Sequence, residues 1–145
     1  MVRLSIKHAR TKKTDTERLV NRPWWSASPP EAWTDPFSLY CFSDHQFGDD
    51  ENELFAQYMN GVLARYVTIT GAYKACPANM SVRWVAQDET TKTRYKIVKE
   101  KNGEFDLKMT LETDPWVGGR SRVFFSKEEW EFESLDFGKF LKLKR

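Results

Sequence analysis

Apolar positions recur along this chain with two different periods. From 54 to 66 the residues Leu54, Phe55, Tyr58, Met59, Val62, Leu63 and Tyr66 fall one, three and four apart, the stripe of an amphipathic helix. Gly48-Asp49-Asp50-Glu51 ahead of them would supply a cap and first-turn acids, which complement the positive end of a helix. A main helix over about 50–66 is therefore expected. Beyond it the period falls to two. Residues 66–70 form a β-branched run ended by Gly71, and 80–86 alternate Met80, Val82 and Trp84 with Ser81 and Arg83. Strands are also expected over 37–43, 93–100, 104–112 and 121–125. Ser126-Lys127-Glu128-Glu129 fits a capping box, which predicts a short helical turn before Gly138.

Asn102-Gly103 is the strongest hairpin signal. A two-residue loop would set Val98 opposite Leu107 and turn Tyr95 and Ile97 away from Phe105, Leu107, Met109 and Leu111. A three-residue loop, Lys101-Asn102-Gly103 with a bulged glycine, pairs Ile97 with Leu107 and Tyr95 with Met109. All the large apolar groups then share one face. The cost is Lys96 against Lys108, an exposed repulsion of at most about 1 kcal/mol. The bulged loop is preferred.

These elements predict an α+β fold: a mostly antiparallel sheet of about five or six strands, the helix packed across one face, and an extended basic N-terminal arm. Between 21 and 36, four prolines and Trp24, Trp25 and Trp33 forbid a helix interior and a central strand. The expected organisation is a basic arm over 1–25, a Pro/Trp linker over 26–36, one domain over 37–136 and a basic tail over 137–145. The three tryptophans either strap the linker to the body or anchor on a partner.

At 145 residues the chain can bury roughly two-thirds of its unfolded surface, enough for a core. Cys41 and Cys76 read as reduced structural thiols. No apolar run approaches the roughly 20 residues of a membrane-spanning helix, so a soluble, intracellular protein is expected. The acid-free first 14 residues read as a retained arm rather than an organelle presequence.

Charge is sorted by position. Residues 1–25 carry Arg3, Lys7, Arg10, Lys12, Lys13, Arg18 and Arg22 against two acids, a net of +5. The last nine residues carry Lys139, Lys142, Lys144 and Arg145, a net of +4, while 26–136 sums to −7. Cationic ends on an acidic body point to an anionic partner, RNA or DNA, with Arg3, Lys7, Arg10, Lys12, Lys13, Arg18, Arg22, Lys142, Lys144 and Arg145 as contacts. Arg83, Lys92, Arg94, Lys96, Lys99, Lys101 and Lys108 add charge around the central strands, either a phosphate-tracking surface or a hairpin's wet face.

No catalytic set emerges. Asp44, His45, Asp49, Asp50, Glu51 and Glu53 are dense in carboxylates but lack a calcium-loop pattern, and read as helix capping rather than a metal site. A Cys41–His45 pair would require β-strand and loop to fold back together. Gly118-Gly119-Arg120-Ser121-Arg122 could offer amides and guanidiniums to an anion. Residues 125–130, Phe-Ser-Lys-Glu-Glu-Trp, resemble the start of a KRAB box, but the 15 residues that follow match none of its continuation. The run from Leu39 through the acidic segment to Thr70-Gly71-Ala72-Tyr73 and Ser81-Val82-Arg83-Trp84 resembles the opening of the phage S-adenosylmethionine hydrolases. It lacks a glutamate near Asn79 and replaces the second helix with a hairpin, so neither resemblance assigns a family.

The sequence thus points to a non-enzymatic binding or assembly protein without cofactors or metals. It would be a subunit of a ribonucleoprotein or virion-like complex with protein partners. The alternative is a small phage-type enzyme or inhibitor acting through the 44–53 edge.

Overall fold

Eight antiparallel strands close into a barrel in sequence order, each paired with its neighbours, and β1 pairs with β8 through Trp25 and Phe125. The computed structural model describes residues 14–26, 38–60, 65–87 and 89–130. The strands are β1 Pro23–Trp25, β2 Ser38–Gln46, β3 Asn52–Asn60, β4 Arg65–Cys76, β5 Asn79–Trp84, β6 Glu89–Asn102, β7 Phe105–Asp114 and β8 Arg120–Ser126. The expected α+β architecture is corrected: the fold is an all-antiparallel barrel. Its one described α-helix is α1, Asp15–Leu19, ahead of β1.

The predicted main helix over 50–66 is strand β3 as far as Asn60. Leu54 and Ala56 point into the barrel core. Phe55, on the outer face, is also buried, against Trp25, Leu39, Cys41 and Phe105 with Phe125 and Trp130 around it. Both faces of β3 are covered, so apolar residues fall at neighbouring positions and mimic a helical stripe. Instead of a helix start, Gly48 and Asp50 occupy left-handed turn positions (φ 82° and 58°) between β2 and β3.

The expected capping box at Ser126 is also corrected. Ser126 ends β8, and its hydroxyl donates to the Pro23 carbonyl at 2.6 Å. The box that forms lies at Thr14 and Glu17: the Thr14 hydroxyl accepts from the Glu17 amide at 3.2 Å, and the Thr14 amide donates to the Glu17 carboxylate at 2.9 Å. Nor does Gly71 end a strand. It lies within β4, where a Cβ would stand 2.7 Å from the Arg83 carbonyl oxygen and 2.9 Å from the Trp84 ring.

The β6–β7 hairpin turns at Gly103 (φ 62°), with Asn102 opposite Phe105 and a bulge between Lys99 and Asn102. Ile97 therefore faces Met109 and Tyr95 faces Leu111, two residues from the expected register. A shift of two keeps the faces, so Tyr95, Ile97, Leu107, Met109 and Leu111 all still point inward. Lys96 is opposite Thr110, and Lys108 is opposite Val98.

The barrel is filled by its own side chains. Trp24, Phe42, Leu54, Trp84, Leu107, Met109 and Phe124 are all fully covered, as an eight-stranded barrel's narrow interior allows. The exterior of β5 and β6 carries Arg83, Lys92, Arg94 and Lys96. Among the described residues no helix is long and apolar enough to cross a membrane.

Up-and-down connectivity gives the barrel two poles. The start of β1, the β2–β3, β4–β5 and β6–β7 turns and the end of β8 share one, here the terminal pole. The β5–β6 and β7–β8 turns share the far pole.

Candidate functional site

The site is built from residues whose alternation sends them outward. In β6, Thr93, Tyr95 and Ile97 are buried, so Lys92, Arg94 and Lys96 form an exposed row on the other face. Alternate residues on a strand stand about 6.8 Å apart. Among the described residues none of these three cations has a carboxylate partner within ion-pair distance. Their neighbours do: Arg83 pairs with Glu51 at 2.7 Å, Lys108 with Glu100 at 3.5 Å, Lys99 with Glu128 at 3.7 Å, and Lys74 with Asp50.

Two grooves flank the row. One, of about 580 Å³, is lined by Asp15, Ala78, Tyr95 and Thr110 together with Arg94, Lys96 and Glu112. The other, of about 360 Å³, is lined by Lys74, Cys76, Met80, Ser81 and Lys92 among others. Asp15 opens α1, so the chain before it joins the body at the edge of the first groove. There β6 runs past Asn79, the first residue of β5. The Ala78 carbonyl accepts from the Tyr95 amide at 3.2 Å, and the Asp15 carboxylate accepts from the Ile97 amide at 3.1 Å. The Thr16 hydroxyl and the Tyr95 phenol bond at 2.9 Å. These contacts fix α1 on the barrel wall and satisfy strand amides that would otherwise be bare.

The chain's other end meets the same pole through Glu128. Its carboxylate lies 3.3 Å from Arg18, 3.6 Å from Arg22 and 3.7 Å from Lys99. Arg22, wholly buried, also donates to the carbonyls of Arg18 at 2.9 Å and Glu128 at 2.9 Å, and to that of Lys127.

The candidates named from sequence divide sharply. Arg18 and Arg22 are buried in this cluster. Trp24 and Trp25 form most of β1: Trp24 is in the barrel core with its indole N–H on the Leu19 carbonyl at 3.1 Å, and Trp25 is in the outer aromatic layer. Residues 15–25 are thus part of the barrel. Arg3, Lys7, Arg10, Lys12, Lys13, Trp33, Lys142, Lys144 and Arg145 lie outside the described residues.

The remaining clusters do not assemble. Among the described residues no three His, Cys, Asp or Glu side chains are placed to hold a metal. Cys41 is buried in the outer layer, where burial and then the Glu53 charge push its thiol up, while His45 is exposed further along β2. Gly118 and Gly119 make a left-handed turn; beyond them Arg120 is exposed and donates to the Val117 carbonyl, while Arg122 bonds Asp114. Sequence reasoning missed both buried arginine clusters. The available signal was a cation at an inward position of an alternating strand, as in Arg122-Val123-Phe124, which demands a buried acid elsewhere.

Comparison with protein-family models, curated proteins and solved structures gives no match.

Proposed function

We propose that this chain is a non-enzymatic nucleic-acid-binding subunit of a larger assembly, gripping phosphates at its terminal pole. The observation that carries the reading is that both ends of the described chain, Thr14 and Trp130, belong to that pole and are joined there through Glu128. From that pole the chain continues toward the five cations of 1–13 and the four of 137–145. Two tethered segments act on one ligand at high effective concentration. The bare row of Lys92, Arg94 and Lys96 starts beside the point where the N-terminal segment joins. Such binding would be governed by counterion release and largely blind to base sequence.

The test is affinity for a 20-nucleotide RNA and a 20-base-pair DNA across a salt series. It uses the intact chain and a full-length variant with Arg3, Lys7, Arg10, Lys12 and Lys13 changed to Ala. The intact chain should bind with log K falling steeply in log salt, by about 0.7 to 0.9 per phosphate engaged. The variant should bind more weakly and with a shallower slope. Equal slopes for the two proteins, or no binding at low salt, would remove the nucleic-acid reading.

A further inference from the structure

The cationic row reads phosphates alone, and we infer that the larger groove beside it adds a preference for unpaired guanine. The inference rests on the nucleic-acid reading and names the strand it takes: a single strand with one unstacked guanine lowered onto β6. The floor of that groove, of about 580 Å³, is Arg94, Tyr95 and Lys96. On one side stand Asp15 and Ala78, whose carboxylate and carbonyl take the Ile97 and Tyr95 amides where β6 runs past Asn79. On the other stand Thr110 and Glu112 of β7, with Thr110 directly opposite Lys96. The volume is within the usual range of small-ligand sites.

With Lys92, Arg94 and Lys96 on phosphates, the groove is left with acceptors. Asp15 engages one carboxylate oxygen, with the Ile97 amide at 3.1 Å. Glu112 is exposed, and among the described residues its carboxylate has no hydrogen-bond or ion-pair partner. The Thr110 hydroxyl has none either. Two positions apart, these side chains share a face of β7 about 6.8 Å from each other.

Two carboxylates in one groove repel a further phosphate, so a neutral group rich in donors fits there. Among the four bases, guanine alone sets two N–H donors side by side, its ring N–H and its exocyclic amine. They match the two oxygens of a single carboxylate, which the unengaged Glu112 offers and Asp15 does not. The guanine carbonyl next to them can accept from the Thr110 hydroxyl. Uracil has only a ring N–H, and adenine and cytosine only an amine. The donor edge of guanine is the one that pairs in a duplex, so the strand that enters is single.

The experiment is fluorescence anisotropy of the full chain at low salt with three labelled 20-nucleotide RNAs: oligouridine, UUUG repeats, and the same repeats with inosine for guanosine. Repeats bring a guanine near the groove in every register. The guanosine RNA should bind about tenfold tighter than oligouridine, within what a paired contact to a base edge confers. Inosine keeps the ring N–H and the carbonyl but lacks the amine. Its RNA should bind about fivefold weaker than the guanosine RNA, the worth of one hydrogen bond. Glu112→Gln should erase the difference between the guanosine RNA and oligouridine without weakening oligouridine. Equal, salt-dependent binding of oligouridine and the guanosine RNA would overturn the inference and spare the phosphate grip. So would inosine RNA binding as tightly as guanosine RNA, or a preference that survives Glu112→Gln. No binding of any of the three would overturn both.

Discussion

Each pole of the barrel holds an arginine, Arg22 wholly covered and Arg122 half-buried, and the two are held in different ways. At the terminal pole, Arg22 is wholly covered but surrounded by acceptors: the carbonyls of Arg18, Lys127 and Glu128, with the Glu128 carboxylate beyond. At the far pole, Arg122 bonds through a single nitrogen to Asp114 and Tyr40 and rests on two aromatic faces. The first guanidinium is held mainly by backbone and ties α1 to the chain after β8. The second is held by the Asp114 and Tyr40 side chains and rests on aromatic faces. Backbone thus anchors one guanidinium and side chains anchor the other. On the outside, the exposed row of Lys92, Arg94 and Lys96, without an acid partner among the described residues, runs from the terminal side.

The largest effect that can break this comparison is removal of each arginine's carboxylate. Asp114→Ala should cost about 3–5 kcal/mol in urea unfolding, because Arg122 loses the buried carboxylate that it bonds. Glu128→Ala should cost about 1–2 kcal/mol, because its carboxylate is partly solvated and Arg22 keeps its carbonyls. Equal costs would show that the two arginines are held alike. Next comes Gly71→Ala, expected to destabilise by about 1–3 kcal/mol as the new methyl group meets the Arg83 backbone and the Trp84 ring. A neutral result in the same urea assay would mean that Trp84 is loosely packed at the far pole.

Tyr40→Phe should cost about 1 kcal/mol, leaving Asp114 with Arg122 but without the phenol. Its pH dependence sharpens the point. Burial, reinforced by the Asp114 charge, raises the Tyr40 phenol well above its ordinary value of 10.0, and burial raises Tyr73 as well. A raised folded-state value means stability that is complete below about pH 10 and lost as pH climbs toward the folded value. Thermal melts from pH 8 to 12 should therefore show a steep alkaline loss. The loss should be shallower in Tyr40→Phe, although that variant melts lower at pH 8. Parallel alkaline limbs would place the titrating group elsewhere.

How much of this was legible depended on whether one face of a strand was wet. Strands β5, β6 and β7 alternate cleanly because their outer faces are largely polar, and residues 80–86, 93–100 and 104–112 disclosed them in sequence. β3 was misread as a helix because Phe55 is buried outside the barrel as Leu54 is inside it. Barrel closure was hidden for a related reason. Its first strand is three residues long, contains a proline, and lies in the 21–36 stretch whose prolines argued against a central strand. Pro23 is tolerated there because the strand is so short, and Trp24 and Trp25 carry the packing on its two faces. The capping box at Thr14 and Glu17 was present in the sequence but sat inside a charged stretch read as an arm. Charge sorting was visible from composition. The pairing of Arg22 with Glu128 and of Arg122 with Asp114 was not, since both depend on strand order around the barrel.

The comparison of poles is tested most directly by the salt slope of RNA binding. The titration would compare the full chain with its Lys92→Ala, Arg94→Ala, Lys96→Ala triple variant, using a fluorescent 20-nucleotide RNA. If the terminal pole and its adjoining row grip one strand, the triple variant should bind more weakly. The slope of log K against log salt should then be shallower by about 2, roughly 0.7 for each cation removed. The same slope and affinity in both proteins would contradict the account, because the exposed row of Lys92, Arg94 and Lys96 would then touch no phosphate.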